Sequence, residues 1–266
     1  MSKLGNLIKN NVVFLTLSLI LIIVLGLALL YIPKGELHLL LCDRHTPARD
    51  IFYRYYTKVA EWFPYVICVL LLLFSRIGDG VCASAAMIFS ALTTQLFKHI
   101  VNAPRPVTWF EMQMPDITLP LVEGVRMNRW FSFPSGHTTS FFALAFVLCF
   151  LLTRQPRNPR CPRTTSYIIQ TILFFLAALG AYSRIYLSQH FAADVFAGIV
   201  VGIALSLISY AIFERYEDKK WYNYRVFAKK MRGKVHFFAK KFGHIKKKQY
   251  FCTRFLIERV ILEKNG

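Results

Sequence analysis

The residues between Ser183 and Asp194 combine side-chain types that together can perform catalysis. The segment reads S-R-I-Y-L-S-Q-H-F-A-A-D and lies between two long apolar stretches. His190 and Asp194 are four residues apart, so on a helix they would share one face, and the carboxylate could accept a proton from the imidazole. That contact fixes the imidazole tautomer and makes the other ring nitrogen more basic. Arg184 adds a planar set of donors that matches a phosphate or a carboxylate. Taken alone, the pattern also fits an ordinary ion pair at a helix end.

A second segment, Pro134-Ser135-Gly136-His137, directly precedes an apolar stretch. This position predicts a turn that leads into a helix N-terminus, where backbone N–H groups and the helix dipole favour an anion. His137 at such a place can donate a proton to a leaving oxygen. By itself, a Ser-Gly-His turn is also a common helix cap.

A third segment, K-H-I-V-N-A-P-R-P, places Lys98 and Arg105 at the end of another apolar stretch. Alone, two such cations would be membrane-interface anchors that extend toward lipid headgroups. With the other two segments they complete a different set of groups. Two arginines, a lysine, two histidines, an aspartate and a helix N-terminus can form an oxyanion site with a nucleophile and an acid.

These three segments resemble the three sequence motifs of the type 2 phosphatidic acid phosphatase family, which includes the vanadium haloperoxidases. Lys98–Pro106 fits K-x6-R-P, Pro134–His137 fits P-S-G-H, and Ser183–Asp194 fits S-R-x5-H-x3-D, in type, order and spacing. The motifs span residues 98–194. The resemblance covers the membrane core but not the C-terminal tail.

The resemblance implies a role for each matched residue. His190 would be the nucleophile that becomes phosphorylated, Asp194 would orient it, and His137 would protonate the leaving group. The phosphoryl oxygens would be held by Lys98, Arg105, Ser135, Gly136 and Arg184. No cofactor and no metal site are expected, because the sequence has no carboxylate cluster and its six cysteines form no zinc-spaced pattern with histidine.

Hydrophobic residues make up 55% of the 266-residue chain and occur in long blocks, as in membrane proteins. We therefore expect an all-α membrane protein in which six transmembrane helices form a bundle, with the motifs at the outer membrane boundary. The spans are expected near residues 12–32, 62–74, 81–97, 138–152, 167–182 and 191–213. The first span is too long for a signal peptide and lacks a small-residue cleavage site, so a retained anchor is expected.

Two segments that connect the predicted spans have sequence patterns that suggest a role. Aromatic and apolar residues recur at helical spacing between Phe52 and Phe63, which predicts an amphipathic interfacial helix or the first turns of the next span. The segment from His99 to Phe133 is the longest connection within the core, and it is the candidate for recognising a lipid headgroup. Its candidate residues are Trp109, Phe110, Arg126, Arg129 and Trp130.

The distribution of charge predicts the orientation in the membrane. With the N-terminus inside, the inner segments before residue 214 carry seven Lys or Arg and one acidic residue, and the outer segments carry ten and seven. The tail from Glu214 adds sixteen and five on the inner side. The positive-inside rule then places both termini in the cytoplasm and the motifs outside, which is the periplasmic face of a bacterial inner membrane.

The sequence divides into an integral membrane domain, residues 1–213, and a basic cytoplasmic tail, residues 214–266. Apolar residues recur at helical spacing between Phe227 and Ile245, with Lys and Arg in the gaps. This predicts a partly helical, amphipathic tail on anionic lipids. A solvated tail or a nucleic-acid binder is the alternative, but the adjacent span favours the membrane, so no nucleic-acid partner is expected. The oligomeric state stays open.

The function expected from the resemblance is hydrolysis of a phosphate ester or anhydride on a membrane lipid, through a phosphohistidine. The resemblance admits undecaprenyl diphosphate, lipid A, phosphatidylglycerophosphate and phosphatidate, and the outward site favours the first two. A lipid phosphotransferase that uses the same phosphohistidine is the alternative within the enzyme class. A non-catalytic lipid transporter or scaffold is the alternative outside it, against which the complete set of motif residues argues. Haloperoxidase activity is not expected, because those relatives are soluble.

Overall fold

The computed structural model describes residues 3–153 and 163–225, and the regular structure in these ranges is helical. The helices are α1 Lys3–Asn10, α2 Val12–Tyr31, α3 Lys34–Cys42, α4 Pro47–Tyr56, α5 Trp62–Ser75, α6 Ile77–Val101, α7 Pro106–Gln113, α8 Gly136–Thr153, α9 Arg163–Tyr186 and α10 Ala192–Phe213. Short 3₁₀ turns occupy Thr57–Ala60 and Glu214–Tyr216.

Several of these helices can cross a membrane. In the described ranges, four stretches are long and apolar enough: Val12–Tyr31, Ile77–Gln113, Thr164–Tyr186 and Ala192–Phe213. A fifth is present if Pro47–Ala60 and Phe63–Phe74, which meet at an angle of 44°, count as one bent span. Helix α8 is apolar but shorter. The described part of the chain is therefore that of an all-helical membrane protein, and the number of six spans stays a prediction.

Helix α8 lies at the centre of the bundle and packs against α6, α9 and α10. Close packing between α8 and α10 depends on glycine. A Cβ on Gly198 would lie 2.9 Å from the Ser135 carbonyl oxygen, and a Cβ on Gly202 would lie 2.6 Å from that of Thr139. Since small residues let helix backbones approach closely in membranes, these glycines bring the start of α10 beside the start of α8.

The helix boundaries differ from the prediction in three places. Helix α6 begins at Ile77, so residues 77–80, which lie between two predicted spans, are helical. Helix α9 continues to Tyr186, so Ser183 and Arg184 lie in its last turns rather than after it. Two short helices, α3 and α7, occupy segments predicted only as connections. The start of α7 has a recognisable signal, because Pro106 is its first residue, a position that proline favours.

The chain stays packed on the bundle beyond the predicted domain boundary at residue 213. The Gly78 amide donates to the Tyr222 carbonyl at 2.9 Å, and the Ile77 amide donates to that of Tyr224 at 3.0 Å. The Tyr222 side chain is fully buried. Residues 217–225 thus form a latch on the N-terminus of α6. The predicted tail helix between Phe227 and Ile245, and residues 154–162 between α8 and α9, lie outside the described residues.

Candidate active site

His190 and Asp194 are in contact, but not through the shared helix face that the sequence predicts. His190 precedes α10, and Asp194 is the third residue of that helix. The carboxylate caps the helix, because its Oδ2 accepts the Phe191 amide at 2.9 Å, and the same oxygen lies 3.4 Å from Nδ1 of His190. The prediction that the two residues share a helix face is therefore wrong, but the predicted contact between the imidazole and the carboxylate is present.

The His190 ring is buried, with 1% of the residue exposed. Burial lowers the pKa of His190 to about 3, against the opposing effect of Asp194. The imidazole is therefore neutral near pH 7. With Nδ1 directed at the carboxylate, the proton belongs on Nδ1 and the free electron pair on Nε2, which is the form that can attack phosphorus.

Three hydrogen bonds hold the segment that leads to His190. The Arg184 carbonyl accepts the amides of Gln189 and His190, each at 3.1 Å. Ser188 has a positive φ of 49°, and its hydroxyl lies 3.3 Å from Nε2 of His38 in α3. Burial lowers the pKa of His38 to about 4, so this ring is also neutral. His38 is not among the predicted site residues, because no spacing in the sequence relates it to the motifs.

The N-terminus of α8 forms one side of the site. The Ser135 hydroxyl caps this helix by accepting the Thr138 hydroxyl at 2.9 Å and the Thr138 amide at 3.4 Å. The Ser135 amide donates to the Asp194 carbonyl at 3.0 Å, which joins the second motif to the third. A Cβ on Gly136 would lie 3.9 Å from Nζ of Lys98. The ammonium group therefore stands beside the first helical residue of α8.

Two buried guanidinium groups contribute positive charge. Arg105 donates from Nε to the Trp130 carbonyl at 3.0 Å and from Nη1 to the Gln189 carbonyl at 3.2 Å. Arg184 donates from Nη1 to the Thr57 hydroxyl at 2.5 Å. Within the described residues, neither group is in salt-bridge contact with a carboxylate. Both keep donors and positive charge for an anion.

The predicted groups meet in one place. Arg184, Lys98 and Arg105 are close enough to His137 to interact with it electrostatically. Asp194 interacts in the same way with Lys98 and Arg105. The structure brings together Lys98, Arg105, Ser135, Gly136, His137, Arg184, His190 and Asp194. Ser183 is not part of this group, because its hydroxyl donates to the Gly180 carbonyl at 2.5 Å within α9. In residues 3–153 and 163–225, no three His, Cys, Asp or Glu side chains are placed to hold a metal ion.

Ser132 is a member of the site that sequence reasoning missed. It is fully buried, and its hydroxyl donates to Oδ2 of Asp194 at 2.5 Å and lies 3.5 Å from Nδ1 of His190. The available signal was its place two residues before Pro134.

The connection between α6 and α8 divides into buried and exposed parts. Phe110 is buried in a cluster with Phe191. Trp109 also packs against Phe191, with ring centroids 5.6 Å apart. Trp130 is exposed, and Arg129 forms an exposed ion pair with Glu111 at 2.8 Å. Arg126 is exposed, and its carbonyl accepts the Gln189 side chain at 3.1 Å. Headgroup recognition by this segment stays a prediction.

Comparison with known proteins identifies relatives of the chain. It is 31% identical over 146 residues to dolichyldiphosphatase 1 of Dictyostelium discoideum, covering 55% of this chain and 57% of that protein. It is 27% identical over 173 residues to lipid A 4'-phosphatase of Porphyromonas gingivalis, covering 64% and 60%. The matches thus span less than two thirds of the length of either relative.

A solved structure has a similar fold. The crystal structure of Aquifex aeolicus LpxE superposes with a TM-score of 0.53 at 27% identity, covering 66% of this chain and 93% of that one. The family model described as PAP2 superfamily matches residues 79–218, more than half of the chain and all three motifs. On this match, the chain belongs to the PAP2 superfamily.

Proposed function

We propose that this protein is a membrane lipid phosphatase that forms a phosphohistidine on His190 and needs no metal ion. The observation that carries the proposal is the grouping of a buried, neutral imidazole with three cations and the N-terminus of α8. This set supplies a nucleophile and fixed positive charge for a phosphoryl group. Family membership and relatives named as phosphatases support the same conclusion.

In the first step, Nε2 of His190 attacks phosphorus while the bond from phosphorus to the leaving oxygen breaks. The bound phosphate offsets the neighbouring cations, so that His137 can carry a second proton. His137 gives this proton to the leaving oxygen, and the leaving group departs as an alcohol or a protonated phosphate. Asp194 stabilises the positive charge that develops on the ring. The cations and the first amides of α8 stabilise the equatorial phosphoryl oxygens, which is the main protein contribution to phosphoryl transfer.

In the second step, water attacks the phosphohistidine. His137, now neutral, accepts a proton from the water as the oxygen–phosphorus bond forms. The nitrogen–phosphorus bond breaks, and inorganic phosphate leaves. His190 returns to its neutral form, and His137 has regained the proton that it donated.

The proposed substrate is a phosphorylated lipid of a bacterial cell envelope, namely undecaprenyl diphosphate or lipid A. The named activities of the two curated relatives, on dolichyl diphosphate and on lipid A, support a long-chain diphosphate or a lipid A phosphate. The charge asymmetry supports an inner-membrane protein with a periplasmic site and cytoplasmic termini. The basic tail is proposed to lie on the anionic inner leaflet.

The test is phosphate release by the purified full-length protein in excess EDTA, against undecaprenyl diphosphate, lipid A, phosphatidylglycerophosphate and phosphatidate. The proposal expects release from at least one lipid, inhibition by vanadate, and no release by the His190→Ala variant. A strict magnesium requirement, or full activity of that variant, would contradict it. Transfer of label to a second lipid instead of water would identify a phosphotransferase.

A further inference from the structure

We propose that Thr57, a residue outside all three motifs, positions Arg184 for the phosphoryl oxygens. The inference rests on the proposed function in one respect, because it takes Arg184 to be a phosphate ligand. Thr57 itself does not touch the substrate. Its role is to fix the direction of the guanidinium group before the phosphate arrives.

The contact between the two side chains is short and buried. Nη1 of Arg184 donates to Oγ1 of Thr57 at 2.5 Å, across 127 residues of sequence. Arg184 is 4% exposed and Thr57 is 8% exposed. The buried Nε of Arg184 has no partner among the described residues. Thr57 is thus a main anchor of a guanidinium group that otherwise keeps its donors free.

The packing of the surrounding turn fixes the place of Thr57. The 3₁₀ turn Thr57–Ala60 contacts both α8 and α9. The preceding Tyr56 stacks on Phe141 of α8, with ring centroids 5.8 Å apart and planes 7° apart. The Tyr56 hydroxyl donates to the Leu176 carbonyl of α9 at 2.8 Å. The turn is therefore attached to the two helices that supply His137 and Arg184.

The partner of Arg184 is a neutral hydroxyl group and not a carboxylate, which favours phosphate binding. A carboxylate partner would also orient the guanidinium, but it would offset its charge and compete with the phosphate. A neutral hydroxyl orients the group and leaves its charge intact. The carboxylate of the exposed Glu61, which follows the same turn, interacts electrostatically with Arg184 but is not in salt-bridge contact with it among the described residues. Because the guanidinium is already oriented, binding a phosphoryl group costs less side-chain entropy.

The experiment compares Thr57→Val, which removes the hydroxyl at nearly constant shape, with Thr57→Ser, which keeps it. Ser18→Ala is the control for loss of a buried hydroxyl, because Ser18 in α2 is also buried and its hydroxyl has no partner among the described residues. Each variant of the full-length protein is assayed for kcat/KM on a lipid phosphate and titrated with orthovanadate. Thermal unfolding shows whether each variant is folded.

The proposal expects Thr57→Val to lower kcat/KM about ten-fold and to weaken orthovanadate binding by a similar factor. Thr57→Ser should keep most of both, and Ser18→Ala should match the unmodified protein. Where Thr57→Val does not fold, Thr57→Ala removes the same hydroxyl with a smaller side chain and is expected to behave in the same way.

Two results would overturn the inference. One is unchanged orthovanadate binding by the folded variants that lack the hydroxyl, and the other is an equal loss in Thr57→Ser. The proposed function fails separately, when the unmodified protein binds orthovanadate through Thr57 and Arg184 but releases phosphate from no lipid. An unmodified protein that binds no orthovanadate would overturn both.

Discussion

The hydroxyl of Ser132 and the carboxylate of Asp194 form a hydrogen bond of 2.5 Å directly behind the proposed nucleophile. The same oxygen, Oδ2, accepts the Phe191 amide and faces Nδ1 of His190. The Ser132 hydroxyl and the Phe191 amide therefore hold the carboxylate in position beside the imidazole. This arrangement defines its direction, so the tautomer and tilt of His190 depend on a serine outside the motifs.

We predict that Ser132→Ala lowers kcat about ten-fold and leaves KM nearly unchanged, because the imidazole is misoriented while the phosphate ligands stay in place. Steady-state kinetics on a lipid phosphate measure this. Ser209→Ala is the control, since Ser209 is equally buried but its hydroxyl donates to the Leu205 carbonyl within α10. A rise in KM at constant kcat would mean that Ser132 acts on substrate binding instead.

Gly136→Ala tests whether an anion binds at the start of α8. The added Cβ would lie 3.4 Å from Cγ2 of Thr94 and 3.9 Å from Nζ of Lys98, which are ordinary contacts. We expect an unchanged melting temperature and a loss of activity of about ten-fold or more, because the methyl group occupies space beside the ammonium. Gly26→Ala meets a similar contact, 3.5 Å from Phe196, and should keep full activity. Equal activity of both variants would contradict an anion site at this helix end.

Acid should destabilise the protein through its buried imidazoles. Burial lowers the pKa of His38 to about 4, below its ordinary value of 6.5. The unfolded chain then binds more protons than the folded one between these values, so the free energy of unfolding falls as pH falls through that window. Melting temperatures from pH 7.5 to 4.5 should decline less steeply in His38→Leu than in the unmodified protein. The exposed His99 is the control, and an identical decline in His38→Leu and His99→Leu would contradict the account.

The latch formed by residues 217–225 should contribute to stability but not to chemistry. Tyr222 is fully buried, whereas Tyr224 is exposed. We expect Tyr222→Ala to lower the melting temperature by roughly 5–10 °C, and Tyr224→Ala to change it little. Truncation after Arg225 should preserve folding and turnover, while truncation after Lys220 should destabilise the protein. Equal stability of the two truncated proteins would show that the latch is dispensable.

The motifs allowed the members of the site to be predicted because each one joins its residues within a short stretch of chain. The partners of those residues were harder to predict. The contact of Thr57 with Arg184 and that of Ser132 with Asp194 arise from packing between distant segments, and no spacing in the sequence encodes them. The His190–Asp194 pair was predicted from helical spacing, yet the contact exists because Asp194 caps α10 and reaches back beyond its start.

The long apolar helices were predicted because their composition alone determines them. Helices α3 and α7 were missed because they are short, mix polar and apolar residues, and owe their packing to tertiary contacts. In α3, for example, Gly35 lies against Trp109 and Met114 of the connection after α6. Such contacts become visible only in three dimensions.

We propose above that His190 carries the phosphoryl group during turnover, and trapping that intermediate tests the mechanism most directly. Full-length protein mixed with a lipid labelled in the phosphate to be released is quenched within milliseconds, and the labelled residue is located by peptide mapping under alkaline conditions. We predict label on His190 that resists alkali and is lost in acid, with slower labelling in Asp194→Asn. Acid-stable label on Ser132 or Ser135, or full turnover by His190→Ala, would contradict the account.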